Sequence, residues 1–322
     1  MQPLLDAIAS MPLSADARRI FHGRGGLHPG CSHLALDFFP PVWLLTSFEP
    51  LAEEALEEIG EALARRWEQL AAGEPLNWVF QCRHAGRSVT RSMAGAVPDP
   101  HWVDEDGARY RVQVAHGQNH GLFLDMAEGR RWVQAHVAAR STDRPRVKVL
   151  NLFAYTCAFS VVSLRAGARQ VTNLDMSKGA LAIGQQNHRA NGVQANAGFL
   201  PHDLFTSWGK VNRGGPYGLV IVDPPSFQKG SFVATKDYAR LIRRLPDLLE
   251  PDGHVLLCLN APELGPGFLQ DLVREGAPEL EFVERLANPA AFADVSEERS
   301  LKVLVYRAPP LVAVPPATPQ AV

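Results

Sequence analysis

The chain has 322 residues and a formal net charge of −2, and 46% of its residues are hydrophobic. This length is enough for two domains, and the near-neutral charge neither indicates nor excludes a nucleic-acid-binding protein. The four cysteines form no CxxC pair, which argues against a zinc site or a disulfide framework and favours a reducing cytoplasm. No apolar run approaches the roughly 20 residues that span a bilayer, and the first residues lack the layout of a signal peptide. We expect a cytoplasmic protein with no metal site and no membrane segment.

The pattern of residues 1–110 predicts a smaller α+β domain. The segment 21–48 mixes glycine, proline and aromatic residues, which is typical of loops and short strands. The segment 49–71 has apolar residues at helical spacing, with an acidic start and a basic end that suit the helix dipole. Residues 77–88 and 109–117 each predict a strand.

Apolar strands and helices alternate from about residue 147 onwards. The pattern predicts strands at 147–154, 170–175, 217–223, 254–260, 280–287 and 301–307, and helices at 158–166, 177–190, 234–250 and 266–276. Such alternation predicts an α/β fold in which helices cover both faces of a mostly parallel sheet. The Pro/Ala-rich tail, 309–322, predicts disorder.

Polar residues follow the predicted strands at one edge of this sheet, where ligands of such folds bind. They are Asn151, Asp175 and Asp223, and Asp203 stands at a corresponding place after a short apolar stretch. Asp175 follows the second strand, 24 residues after Asn151, where a carboxylate can accept hydrogen bonds from a ribose diol. A role as the cap of the next helix is the alternative for Asp175.

The loop after the first predicted strand lacks the G-x-G-x-x-G pattern that cradles a pyrophosphate. Ala154, Thr156 and Cys157 stand where glycines are expected. NAD and FAD are therefore disfavoured, and a nucleoside cofactor without a pyrophosphate, S-adenosylmethionine, is favoured.

The segment Asp223-Pro224-Pro225 continues the third predicted strand of this region. Each proline restricts its own backbone and that of its predecessor, so the segment is expected to stay extended towards the crevice. It can offer a carboxylate and carbonyls to a flat base, with Phe227 as a stacking surface. A simple proline stop of the strand is the alternative.

Several motifs together resemble a known family. They are "VLNLFAYTCAFS" (149–160), "LDMS" (174–177), "VDPPSF" (222–227) and "GLFLD" (121–125) with Arg130 five residues after its aspartate. The chain resembles the class I S-adenosylmethionine-dependent methyltransferases, and within them the 23S ribosomal RNA family that makes 5-methylcytosine or 7-methylguanine. The resemblance covers roughly 111–307. It implies a Rossmann-like methyltransferase domain at 111–308, S-adenosylmethionine as cofactor and RNA, favouring ribosomal RNA, as substrate.

The resemblance also implies roles for individual residues. The cofactor would be held at its methionine end, its binding loop, its ribose and its adenine by Phe123, Arg130, Asn151, Phe153, Ala154, Tyr155, Thr156, Asp175, Met176, Ser177, Asp203 and Leu204, while Asp223 and Pro224 would face the methyl group and the target base. The chain departs from the family at Cys157, where glycine is usual, and at Asn119-His120, where relatives often have Lys-Thr. We interpret Cys157 as a packing residue.

The last residue of the predicted strand 254–260 bears on the target atom. Methylation of cytosine C5 requires a thiolate that first adds to the ring. The relatives that make 5-methylcytosine have a cysteine where this chain has Asn260, and Cys258 lies two residues earlier. A nitrogen target needs only correct positioning. We therefore predict methylation of a guanine nitrogen, with Asp223, Pro224 and Asn260 as the catalytic residues.

Basic residues and one aromatic residue are the candidates for contacting RNA. Phe227, Lys229 and Lys236 follow the Asp-Pro-Pro segment and are predicted to contact substrate. Arginines 18, 19, 24, 83, 87 and 91 are further candidates, although they could instead pair with the acidic residues of 49–74. Two other functions stay open: a methyltransferase acting on a small molecule or protein, and a non-catalytic cofactor-binding protein. The oligomeric state is not predicted.

Overall fold

A five-stranded sheet organises the N-terminal part of the computed structural model, which describes residues 1–143, 147–225, 227–228 and 232–311, except for the side chains of 141–143 and 227–228. Helix α1 (Gln2–Ser10) precedes strands β1 (Arg18–His22), β2 (Leu34–Phe39) and β3 (Val42–Ser47), helix α2 (Glu53–Leu70), and strands β4 (Asn77–His84) and β5 (Arg87–Ala94). The strands pair in the order β1-β2-β3-β4-β5. Only β3 and β4 pair in parallel, with α2 as their crossover. Both α1 and α2 place apolar residues on this sheet in one cluster.

One prediction for this part needs correction, and another is confirmed. The strand predicted at 77–88 is two strands, because Ala85 and Gly86 adopt positive φ values of 50° and 73° and turn the chain into a hairpin. The segment 21–48, predicted as loops and short strands, contains β2 and β3, whose residues are all buried. Both strands lack the alternation of polar and apolar residues by which half-buried strands are found.

A hairpin of β6 (His101–Glu105) and β7 (Ala108–Val112) follows, and then helix α3 (Ala127–Asp143). Val103 and Tyr110 of the hairpin share an apolar cluster with Val133 and Val137 of α3 and with the large sheet described next. Residue 110, the boundary predicted between two domains, lies inside β7. The same cluster also contains Phe39 and Val42 of the N-terminal sheet, so the hairpin packs against both parts of the chain.

A seven-stranded sheet forms the second part. In chain order its elements are β8 (Lys148–Leu152), α4 (Ala158–Arg165), β9 (Gln170–Leu174), α5 (Lys178–Ala190), β10 (Ala197–Leu200), α6 (Trp208–Gly214), β11 (Tyr217–Val222), the short ribbon of β12 (Phe227–Gln228) and β13 (Phe232–Val233), α7 (Ala234–Ile242), α8 (Leu245–Leu248), β14 (Leu249–Leu259), α9 (Pro266–Gly276), β15 (Glu281–Arg285) and β16 (Lys302–Arg307). The sheet order is β10-β9-β8-β11-β14-β16-β15, and β16 runs in the opposite direction to the other six strands. Strand order reverses between β8 and β11.

The central strands explain this architecture. Leu219 and Ile221 of β11 join the apolar cluster on one face of the sheet, whereas Val220 and Val222 join the cluster on the other. A strand that is apolar on both faces must be covered on both, so the predicted α/β, Rossmann-like fold is confirmed. The helix predicted at 234–250 is interrupted, since Pro246 stands in the first turn of α8. None of the helices in the described ranges has the length and apolar character needed to cross a membrane.

A buried ion pair joins the β6–β7 hairpin to α3. Arg130 donates from Nε to Glu105 Oε2 at 2.5 Å and from Nη2 to Glu105 Oε1 at 2.7 Å. The side chains are only 3% and 6% exposed. Although burial lowers it, the pKa of Arg130 is held above its ordinary value by the Glu105 carboxylate. Removing one partner leaves the other charge buried and unpaired.

We predict that Glu105→Ala lowers the free energy of unfolding by about 3–5 kcal/mol, because the Arg130 guanidinium loses its partner. Urea unfolding measures this value. Glu53→Ala is the control: Glu53 also binds an arginine, Arg91, at 2.6 and 2.9 Å, but on the surface, where such pairs contribute little. Equal urea midpoints for the two variants would contradict the role assigned to the buried pair.

Candidate active site

The larger of two neighbouring cavities lies at the carboxyl ends of β8, β9 and β11, at the reversal of strand order. Its volume is about 630 Å³. Every predicted cofactor or catalytic residue lines it: Phe123, Arg130, Asn151, Phe153, Ala154, Tyr155, Thr156, Asp175, Met176, Ser177, Asp203, Leu204, Asp223, Pro224 and Asn260. The tertiary structure thus brings together residues from six separate stretches of the sequence, as expected for a parallel sheet.

The loop after β8 has an unusual backbone. Phe153, Tyr155 and Cys157 adopt positive φ values of 56°, 47° and 64°, although none is glycine. Such conformations cost energy for residues with a side chain and persist only where the surroundings impose them. Here Ala154 N donates to the Leu174 carbonyl of β9 at 3.0 Å and Cys157 N donates to the Ala154 carbonyl at 2.7 Å.

Side chains tie this loop to the segment before α3. Thr156 Oγ1 donates to the Gly121 carbonyl at 2.6 Å, and Gly121 N donates to Tyr155 Oη at 3.0 Å. Asn187 of α5 donates from Nδ2 to the Thr156 carbonyl at 2.9 Å. Gly121 has a φ of 97°, and a Cβ there would lie 2.7 Å from the Arg111 carbonyl oxygen. The cavity wall is therefore a cross-linked pair of loops.

The Asp175 carboxylate is a structural acceptor with capacity left for a ligand. Oδ2 accepts from Tyr155 N at 2.8 Å and Oδ1 accepts from Ser177 N at 2.7 Å. Ser177 is the residue that caps α5, accepting from Ala180 N at 3.1 Å, so Asp175 is not the cap. Each carboxylate oxygen has a second lone pair, which can accept from a hydroxyl group in the cavity.

Asp203, unlike Asp175, is the N-terminal cap of the helical turn that follows it. Its Oδ1 accepts from Thr206 N at 3.0 Å at the start of a short 3-10 turn, and the residue also lines the cavity. Leu204 beside it is buried, whereas Met176 and Phe123 are 46% and 43% exposed. Exposed apolar side chains inside a cavity provide contact surface for an apolar part of a ligand.

Asn151 belongs to a buried polar network beneath the cavity. Its Nδ2 donates to Asn173 Oδ1 at 3.0 Å, Asn173 Nδ2 donates to Ser160 Oγ at 3.0 Å, and Ser160 Oγ lies 2.8 Å from His188 Nε2. Burial lowers the pKa of His188, which keeps the ring neutral. The network holds the ends of β8 and β9 in register.

Two carboxyl groups meet at the methionine-side end of the cavity implied by the resemblance. Burial and the nearby Asp125 carboxylate raise the pKa of Asp223 to about 7, although the Arg130 guanidinium lowers it. Burial likewise raises the pKa of Asp125, against Arg19 and Arg130. A positively charged group placed beside the pair lowers both pKa values and is attracted in return. Arg130 forms an ion pair with Glu105, and from this position its guanidinium lowers the pKa of Asp223.

Asn260 lies at the end of β14 and lines both cavities. The next residue, Ala261, is anchored through its carbonyl, which accepts from the fully buried Lys302 Nζ at 2.6 Å. Cys258 faces neither cavity. It is completely buried, burial raises its thiol pKa well above the ordinary value, and its carbonyl accepts from Tyr238 Oη.

The smaller cavity adjoins the larger one and lies between the N-terminal sheet and the residues after β14. Its volume is about 330 Å³, and it shares Asn119, Phe123, Asp125, Asn260 and Leu301 with the larger cavity. Arg19, Arg24 and Arg83 line it. One of the arginines considered as RNA contacts, Arg91, instead pairs with Glu53 of the acidic segment 49–74, which was the alternative interpretation.

The predicted substrate residues are not gathered with these groups. Lys236 is exposed on α7 and lines neither cavity. Lys229 and the side chain of Phe227 lie outside the described residues. Sequence reasoning missed Gly121, Asp125 and Glu105, and also Phe205, which lines the larger cavity. Asp125 stood in the quoted "GLFLD" motif and could have been found there, whereas Glu105 carried no local signal.

The chain is similar to proteins of known families and to solved structures. The model of the S-adenosylmethionine-dependent methyltransferase family matches residues 18–307. Ribosomal RNA large subunit methyltransferase I of Photobacterium profundum is 29% identical over 300 residues, covering 90% of this chain and 72% of that protein. The protein of the same name from Aeromonas salmonicida is 25% identical over 254 residues, covering 77% of this chain and 62% of that protein. The chain thus spans less than two thirds of the length of that relative. The solved structure of SMU.776 complexed with SAH has a TM-score of 0.77 at 24% identity, covering 95% of this chain and 79% of that one.

Cys157 and Gly184 form a matched pair behind the loop. A Cβ on Gly184 would lie 2.5 Å from Cys157 Sγ, too close for any packing without a shift. We predict that Gly184→Ala costs about 1–3 kcal/mol of unfolding free energy by overpacking. Cys157→Gly removes the sulfur and the strained side chain, so adding it to Gly184→Ala should restore most of the loss.

Chemical denaturation measures both variants. Gly179→Ala is the control in the same helix, since the nearest atom to its added Cβ is Ser177 Oγ at 4.0 Å. If the two glycine variants were equally stable, or if Cys157→Gly failed to rescue Gly184→Ala, the packing role of Cys157 would be wrong.

Proposed function

Because the chain belongs to the S-adenosylmethionine-dependent methyltransferase family, we propose that it methylates a guanine nitrogen in ribosomal RNA of the large subunit. The two relatives described above carry the name of large-subunit ribosomal RNA methyltransferases. One observation carries the proposal for this chain: the cofactor cavity opens into a second cavity at Phe123, Asp125 and Asn260. A base in the second cavity can reach a methyl donor in the first.

The residues of the larger cavity fit S-adenosylmethionine. The unused lone pairs of Asp175 can accept the ribose hydroxyls, and the exposed face of Met176 can contact adenine. Asp203 stands where it can accept from the adenine amine, and Phe123 covers the opposite end. When bound, the cofactor supplies a methyl group on a positively charged sulfur. Asp223 and Asp125 provide the negative charge that favours such a cation.

The absence of a thiolate favours nitrogen over carbon as the methylated atom. All four cysteines lie in the described part of the chain, and none of them lines either cavity. Addition of a thiolate to cytosine C6 is thus unsupported here, whereas a nitrogen lone pair needs only orientation. Asn260 can orient the base by hydrogen bonding. Asp223, with its pKa near 7, can accept a proton if the target nitrogen carries one.

The remaining assignments follow from this proposal. Residues before the β6–β7 hairpin form a substrate-recognition domain, and the rest of the chain up to residue 308 forms the methyltransferase domain. Asp223, Pro224 and Asn260 act on the base, and Lys229 and Lys236 contact RNA outside the cavities. The protein works in the cytoplasm, where ribosomal RNA is made and assembled in bacteria.

We predict that S-adenosylmethionine binds more tightly as the pH rises from 6 to 8. Asp223 is protonated below its pKa of about 7, and the cofactor's sulfonium favours the ionised form. Linkage therefore gives an affinity that rises by up to about tenfold per pH unit below that pKa and levels off above it. S-adenosylhomocysteine, whose sulfur is neutral, shares the other titrating groups and is the control ligand.

Titration calorimetry of both ligands at several pH values measures the ratio of their affinities. Asp223→Asn should abolish the pH dependence of that ratio. A ratio that depends on pH equally in the native protein and in Asp223→Asn would assign the titration to another group, such as Asp125.

The cofactor site is tested first by binding. Asp175→Ala should weaken S-adenosylhomocysteine at least about tenfold, as expected for lost hydrogen bonds to a charged acceptor. Thermal unfolding must show that the variant is folded, since Asp175 also accepts from two backbone N–H groups. Unchanged affinity in a folded variant would remove Asp175 from the site.

Methyl transfer to large-subunit RNA, followed by digestion and mass spectrometry of the nucleosides, then tests the substrate. We expect a methylated guanosine, little activity in Asn260→Ala and full activity in Cys258→Ala. A 5-methylcytidine product lost in Cys258→Ala would overturn the nitrogen assignment. No RNA product from a protein that binds S-adenosylhomocysteine would overturn the RNA substrate.

A further inference from the structure

The smaller cavity carries positive charge that the methyl-transfer chemistry does not use. Arg19, Arg24 and Arg83 line one wall, from the N-terminal sheet and the turn after β1. The rim also carries Asp294 and Arg299, one charge of each sign. The ligand inferred for this wall depends on the function proposed above, because the smaller cavity adjoins the cavity proposed for the methyl donor.

One of the three arginines is neutralised. Arg19 donates from Nε and Nη2 to the two carboxylate oxygens of Asp37, at 2.5 and 3.2 Å. Its Nη1 lies 2.6 Å from His22 Nδ1. Burial and the Arg19 charge lower the pKa of His22 to about 4, so this ring is neutral at pH 7 and accepts from the guanidinium. Arg19, Asp37 and His22 together therefore add no net charge.

Arg24 and Arg83 have no such partner. Neither forms an ion pair with a carboxylate of the described ranges. Arg83 is instead oriented by neutral groups: it donates to Gln81 Oε1 at 2.5 Å, to the Gln118 carbonyl at 2.7 Å and to His120 at 2.9 Å. Burial lowers the pKa of His120, so this ring too is uncharged.

A single aromatic ring gathers the two guanidinium groups. The Cζ of Arg24 lies 4.0 Å from the Phe48 ring centroid, and the Cζ of Arg83 lies 6.0 Å from the same centroid. Burial and the Arg19 charge lower the pKa of Arg24. Burial also lowers the pKa of Arg83, and with the charges of Arg24 and Arg19 it exceeds the opposing effect of Asp37. Two like charges held over one ring in a cavity favour an anion between or beside them.

We propose that Arg24 and Arg83 form a phosphate subsite that binds a phosphodiester group next to the target nucleotide of the RNA. A guanidinium presents its N–H groups in a planar fork that matches phosphate oxygens. The subsite lies on the far side of Phe123, Asp125 and Asn260 from the cofactor cavity. A phosphate held here fixes the backbone of the nucleotide whose base reaches that junction. It positions the substrate without reading its sequence.

The salt dependence of RNA binding tests the subsite. The slope of log K against log salt concentration should fall by about 0.7 in Arg24→Gln and again in Arg83→Gln, if each side chain neutralises one phosphate of single-stranded RNA. Arg87→Gln removes a charge from the same sheet at an exposed position outside both cavities and should change the slope less. Affinity for S-adenosylhomocysteine should remain native in all three variants, which also shows that they are folded.

A second measurement separates this inference from the proposed function. With S-adenosylhomocysteine present, the native protein should bind the dinucleotide GpG at least about tenfold more tightly than guanosine, and Arg24→Gln and Arg83→Gln should each reduce that gain. If GpG gains nothing over guanosine, or if both variants behave like Arg87→Gln, the subsite is wrong even where RNA is methylated. If the gain depends on both arginines but no RNA is methylated, the phosphate subsite stands and the proposed substrate fails.

Discussion

The strained loop from Phe153 to Cys157 is the constraint on which the site depends. Three of its residues have left-handed backbone without being glycine, and this conformation persists because hydrogen bonds from β9, α5 and the Gly121 segment oppose its relaxation. The same bonds shape the cavity wall. The loop therefore forms only when the sheet, α5 and the segment before α3 are all in place, which couples the cofactor site to the complete fold.

Charge is distributed unevenly along the two joined cavities. The cofactor side ends in Asp223 and in Asp125, which both cavities share; burial raises the pKa of each, and the Asp125 carboxylate raises that of Asp223 further. The other side carries Arg24 and Arg83 without carboxylate partners among the described residues. A donor with a positive sulfur and a substrate with a negative backbone would each meet the opposite charge. In the function proposed above, this polarity would favour the donor on one side and the phosphate of the acceptor on the other.

The buried Glu105–Arg130 ion pair links the two cavities to the stability of the fold. The pair is buried, and Arg130 Nη2 also donates to the Phe123 carbonyl at 2.9 Å. Phe123 is one of the residues that both cavities share. The resemblance implied that Arg130 would contact the cofactor. Its guanidinium lines the larger cavity while it is held by Glu105, so it also positions Phe123 and opposes the rise in pKa at Asp223.

The sequence by itself determined the α/β class, the cofactor and the polar residues after the parallel strands, because strand periodicity and strand-end motifs are local signals. It did not reveal the partner of Arg130, since Glu105 lies 25 residues away on a hairpin that had been only half predicted. It could not separate Arg91, which pairs with Glu53, from Arg24 and Arg83, which line a cavity. Those distinctions depend on distances between segments far apart in the chain, and only tertiary packing decides which charges become neighbours.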